Sequence, residues 1–77
     1  MPVIFQKNGY RFFFYSNDHE PVHVHVKHGA GEAIFSIATK VELRESKGMK
    51  FRELSKALAL AEEHQKIILN FWHEYFD

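Results

Sequence analysis

The sequence predicts an α+β fold: an antiparallel sheet of four to five strands, then a C-terminal helical segment packed on one face. Three observations carry that prediction. Asn8-Gly9 lies between two apolar, aromatic-rich runs. Val22 to His28 alternates strictly, and a second alternating run, Glu32 to Ile37, follows Gly29-Ala30. After the polar stretch RESKGMK the apolar spacing changes from two to about 3.6 residues.

The first hairpin is VIFQ-KNG-YRFFFYS. A type I′ turn needs two positive φ angles, which Asn-Gly supplies. That loop pairs Lys7 with Tyr10, Phe5 with Phe12 and Val3 with Phe14. Val3, Phe5, Phe12 and Phe14 then share one face, and Ile4, Gln6, Arg11, Phe13 and Tyr15 the other. Both faces carry apolar groups, so one packs on the helix and the other is left for a partner or a second subunit.

Residues 17–21, NDHEP, form a turn, because Asn, Asp and Pro interrupt a strand. In the next strand Val22, Val24 and Val26 point one way, and His23, His25 and Lys27 the other. A Gly-first type II′ turn at Gly29-Ala30 pairs Val26 with Ala33, Val24 with Phe35 and Val22 with Ile37. The opposite face then reads His23–Ser36, His25–Ile34 and Lys27–Glu32, the last a cross-strand charge pair. A one-residue slip would bury the histidines instead. Val41 to Leu43 is the candidate fifth strand.

In the helical segment Leu54, Ala57, Ala61, Ile68, Phe71 and Tyr75 form a stripe, with His64 in line. Leu58, Trp72 and Phe76 widen it. One continuous helix over this region would run to about 39 Å, long for so small a domain, so a bend or break is expected near His64.

Composition bounds the rest. The 77 residues make one domain, residues 1–77, with a thin core and no cysteine to staple it. Absence of cysteine is compatible with a cytoplasmic location. No apolar run approaches the roughly 20 residues that span a bilayer, and the N-terminus lacks a signal-peptide layout. The expectation is a soluble protein with no membrane partner. Ten basic residues balance ten acidic ones, but unevenly. The stretch 40–56 is basic, and Lys50 and Arg52 fall where a helix begins, a position the helix dipole makes unfavourable for cations. Two solvated faces explain this asymmetry; a patch for phosphate or an acidic partner is the sharper alternative.

Four of the six histidines, His19, His23, His25 and His28, lie within ten positions. Alternation puts His23 and His25 on one face with Lys27, sends His28 to the other, and leaves His19 to the preceding turn. Three readings follow. In the first, His23 and His25 with His19 or Asp18 hold one metal ion, zinc being the natural candidate. A shared ion requires the donor atoms to converge within about 4–5 Å. In the second, His23 and His25 act as base and acid in RNA cleavage. Lys27 or Arg11 would then be the phosphate cation, and Asp18 would orient an imidazole. In the third they are half-exposed strand residues at an interface, and His19 ties a loop. Phe13, Tyr15 and Trp72 have the composition for base stacking, but a domain this small needs its aromatics for burial.

These residues resemble the bacterial domain of unknown function 4160. The pattern is Met1-Pro2, the aromatic strand Phe12 to Tyr15, Asn17-Asp18-His19, Pro21, His23-Val24-His25-Val26 and Gly29. A helix with Ile68-Leu69, Trp72 and an aromatic pair follows. The family often has Pro-Pro and an aromatic between the histidines, where this chain has Val22 and Val24; the polar positions are intact. Such genes commonly adjoin one for the domain of unknown function 2442. The resemblance therefore implies the toxin half of a toxin–antitoxin module, with a small antitoxin-like protein as partner; RNA is the candidate target of the acid–base reading. The resemblance supplies no biochemical activity. Candidate catalytic residues are Asp18, His19, His23 and His25; candidate metal ligands are His19, His23 and His25; candidate anion-binding residues are Arg11, Lys27, Lys50 and Arg52. A non-enzymatic protein-binding module is the alternative in another class, and a homodimer would also cover an open sheet face.

Overall fold

The computed structural model describes residues 3–76. Five strands, β1 (Val3–Lys7), β2 (Tyr10–Phe13), β3 (His23–His28), β4 (Gly31–Ser36) and β5 (Glu42–Lys47), form one antiparallel sheet in sequential order. Two helices follow, α1 (Phe51–Glu63) and α2 (Gln65–Phe76). The α+β class, the sheet and the C-terminal helices are as the sequence predicts.

At the first turn Asn8 has φ 54° and Gly9 φ 81°, the two positive angles a type I′ turn demands. Lys7 pairs Tyr10 and Phe5 pairs Phe12, but Val3 pairs Phe13 and not Phe14. Ile4 is an extra residue on β1, a bulge that reverses the facing of what precedes it. Ile4 and Phe5 therefore both pack against the core, while Val3 turns outward.

The second hairpin holds the register derived above, from His28–Gly31 to His23–Ser36. Ile37 N–H donates to the Val22 carbonyl at 3.3 Å and extends it by one step. Val24, Val26, Ala33, Phe35 and Ile37 are all buried, and the helices cover that face with Ala57, Leu60, Ala61, Ile68 and Trp72. His23, His25 and Lys27 consequently project to the face opposite the helices, although the Trp72 ring of α2 comes within 5.4 Å of the His23 ring, centre to centre. Phe13 is fully buried on that same face, against Tyr15 and His25, with Lys27 Nζ 5.8 Å from its ring centre.

Two expectations fail in instructive ways. The fifth strand is not Val41 to Leu43 but Glu42–Lys47, so residues 44–47 are strand and not loop. All six of its residues are exposed, so no burial pattern marks it; its hydrogen bonds to β4 alone make it a strand. Arg44 is the extra residue of a second bulge, between the pairs Phe35–Leu43 and Ile34–Glu45. Both bulges fall on edge strands, where they hinder pairing with another chain. In the helices, Phe71 and Tyr75 are 41% and 48% exposed, whereas Leu60 and Trp72 are buried. The helix breaks at His64, as expected, and that break shifts the phase of the buried face. His64 donates from Nδ1 to the Leu60 carbonyl at 2.9 Å, and Gln65 Nε2 donates to the carbonyls of Ile37 and Thr39. These bonds tie the start of α2 to the segment leaving β4.

Candidate metal centre

Strand β3 and the loop before it build the site. Alternation puts His23 and His25 side by side on the open face, their ring centres 5.1 Å apart. The loop is closed by reciprocal bonds: Asp18 N–H donates to the Tyr15 carbonyl at 3.0 Å, and Tyr15 N–H donates to Asp18 Oδ2 at 2.8 Å. That turn aims the Asp18 carboxylate at both imidazoles. The chain then passes a cis Glu20–Pro21 bond, and the Pro21 carbonyl accepts a 2.8 Å hydrogen bond from His23 Nδ1.

Asp18 Oδ1 lies 3.3 Å from His23 Nε2, and Asp18 Oδ2 lies 3.1 Å from His25 Nε2. One donor atom from each residue falls within 4.8 Å of the others. All three side chains are only 11–13% exposed. Burial pushes the Asp18 carboxyl up, but the Tyr15 N–H, the hydrogen bond from His25 and positive charge on His25 and His23 outweigh it, and hold it below its ordinary value.

The tautomers are constrained. A carbonyl only accepts, so His23 Nδ1 carries a proton. In neutral His23 the lone pair is then on Nε2, which lies 3.3 Å from a carboxylate oxygen without a hydrogen bond to it and is available to a metal ion. His25 differs, since its Nε2–H can donate to Asp18. A metal-ligating histidine typically donates its other ring N–H to a carbonyl or carboxylate, which is the arrangement at His23.

Of the sequence candidates, Asp18, His23 and His25 converge. His19 is exposed and is not among the converged donors, although it lines a cleft beside them with Glu20, Arg44 and Glu45. Arg11 and Lys27 are cross-strand partners on the open face. Lys50 and Arg52 sit at the start of α1, where Gly48 and Met49 press on Gly31, the partner of His28; that is the far end of β3 from His23. Lys27 and Glu32 are opposite each other as expected, but no ion pair joins them among the described residues. His28 does turn to the other face: its ring stacks on Tyr10, its Nδ1 donates to the Gly9 carbonyl, and its Nε2 lies 3.4 Å from Glu53. Sequence reasoning missed Arg44 and Glu45, because the segment holding them reads as a polar loop. Tyr15 was visible as an aromatic; its position over His25, 4.7 Å between ring centres, was not.

Fold and site together define a small α+β domain with a two-histidine, one-carboxylate cluster on the uncovered face of its sheet. The chain belongs to the family described as domain of unknown function DUF4160, whose profile matches residues 9–73. No curated protein and no solved structure matches it.

Proposed function

We propose that Asp18, His23 and His25 bind a divalent transition-metal ion, with zinc the natural first candidate. The observation that carries the proposal is the convergence of three donor atoms, with His23 already oriented by the Pro21 carbonyl. Two imidazoles, a carboxylate and no cysteine suit zinc, iron(II), nickel or manganese better than a thiolate-selective ion. Three protein ligands leave at least one position open, toward a cleft of about 520 Å³. His19 lines that cleft outside the three-donor set. An ion held there would polarise a ligand or lower the pKa of a bound water. The ion competes with protons for the imidazole nitrogens, so uptake releases a proton from an imidazolium form of either histidine, whereas a neutral His25 only moves its Nε2 proton to Nδ1. Elemental analysis of protein purified without a His-tag tests this: about one equivalent of metal is expected, and none even after incubation with zinc sinks it.

A second reading has one observation in its favour, the presence of Arg44 in the same cleft as His19 and His23. Here the chain is an RNA-cleaving toxin of a cytoplasmic two-gene module, with His23 and His25 as base and acid and the antitoxin-like partner covering the open sheet face. The gathering of both Nε2 atoms within 3.3 Å of one carboxylate favours the metal reading, because base and acid must act at two separate oxygens, the 2′-hydroxyl and the 5′ leaving oxygen. Expression of the chain alone should arrest growth under this reading, and His25→Ala should relieve the arrest; harmless wild-type protein removes it.

A further inference from the structure

The open face of the sheet carries cations that the metal site does not use. Strand register sets Arg11, Lys27, Glu32 and Lys47 side by side across β2, β3, β4 and β5. All four are exposed. Alternation from His25 puts this row on the histidine face, about 7 Å further along β3. With strands about 4.8 Å apart, the row runs about 14 Å from Arg11 to Lys47. Arg44, bulged out of β5, adds a cation on the other side of the site, in the cleft with Asp18 and His23.

None of these cations has an ion-pair partner among the described residues, where every ion pair involves a histidine. Arg11 and Lys27 are directly opposed like charges, an arrangement that destabilises a sheet. Lys27 also lies over Phe13 and opposite Glu32, but neither contact reaches Arg11, and an anionic ligand would offset the repulsion between the two cations. The spread of the row decides what kind of anion. One phosphate reaches one or two of these side chains, whereas a row of this length matches several linked anions. Tyr15 lines the cleft that also holds His25 and Lys47, and offers an aromatic ring beside the cations.

We infer that this face binds single-stranded nucleic acid, with one phosphate at the Asp18–His23–His25 site and its neighbours on Arg11, Lys27 and Lys47. The placement of the first phosphate rests on the metal reading; the row does not. A bound divalent ion offsets Asp18. On the rest of the face Arg11, Lys27, Arg44 and Lys47 stand against Glu20, Glu32, Glu42 and Glu45, and the row itself, three cations to one Glu, is the positive part. Bases stack on Tyr15, and phosphates carry most of the affinity, so sequence preference is weak.

The test is fluorescence anisotropy of zinc-loaded protein with a labelled single-stranded RNA of about twelve nucleotides. Three phosphate contacts predict a slope of log affinity on log salt of about −2. Changing Arg11, Lys27 and Lys47 together to Gln should weaken binding about tenfold or more at 0.1 M salt. The same variant should still bind zinc, which also shows that it folds. Changing Lys50, Arg52 and Lys56 to Gln, at α1, should leave RNA binding unchanged. No salt-dependent binding overturns the inference, as does loss of binding in the α1 variant alone. An acidic peptide of equal charge binding as tightly also overturns it, in favour of a protein partner. RNA binding that depends on the row in protein that takes up no zinc would remove the metal reading and leave this one standing.

Discussion

His23 commits one ring proton to the Pro21 carbonyl, so the occupant of the space beyond its Nε2 decides what the site is. Asp18 fills the other side of that space, and its position is fixed by the Tyr15 backbone. Asp18→Asn keeps the shape and removes the charge. It should lower zinc affinity by at least about 100-fold, since even loss of a residue that only orients a ligand costs about 10–100-fold; competition with a chromophoric chelator measures it. The same variant makes a pH prediction for metal-free protein. Because the folded carboxyl is held below its ordinary value, it stabilises the fold above the ordinary carboxylate range, and that stabilisation is lost as pH falls through the folded value. Asp18→Asn should therefore flatten the acid limb of stability against pH in urea melts. An unchanged limb would show that the Asp18 contacts do not persist in solution.

Among the elements, hairpins were the most legible, because turn chemistry and burial agree. Asn8-Gly9 and Gly29 set the turns, and Val22, Val24 and Val26 gave the register only one way to bury its apolar side. The pair His23–His25 was readable for the same reason. Asp18 as the third member was only one of two candidates beside His19, since a turn's side-chain direction has no period to read. Strand β5 was illegible beyond Leu43: an edge strand with every residue exposed lacks the alternation that reveals a strand. The bulge at Ile4 was equally hidden, so Val3 was paired with the wrong residue. Two substitutions test the joints between elements. A Cβ on Gly31 would lie 2.6 Å from the Gly48 carbonyl oxygen, so Gly31→Ala should cost about 1–3 kcal/mol in chemical denaturation. Gln65→Ala removes two hydrogen bonds that anchor α2, for a loss of about 1–2 kcal/mol. A neutral result there would mean that packing of Ile68 and Trp72 alone positions the helix.

For the whole molecule, the decisive fact is which face the helices cover. Alternation put the histidines opposite the valines but gave no face to solvent, because both sides of the first hairpin carry aromatics. The helices resolve this by burying Phe12, Phe14 and Phe35, and the sheet keeps its histidine face uncovered, with Phe13 sealed beneath Tyr15, His25 and Lys27. No helix of the described residues is long and apolar enough to cross a membrane. A domain of this size has little stability to spare. A metal at about 100 times its dissociation constant adds about 2.7 kcal/mol, enough to raise the midpoint of thermal unfolding by about 10–20 °C. A chelator should reverse the rise.

Isothermal titration of zinc into tag-free protein decides whether Asp18, His23 and His25 hold an ion. One site is expected, with proton release that scales with the buffer's ionisation heat, and loss of that site in His25→Ala while circular dichroism stays unchanged. Absence of binding to the wild-type chain, or an undiminished site after Asp18, His23 and His25 are all replaced, would contradict this expectation.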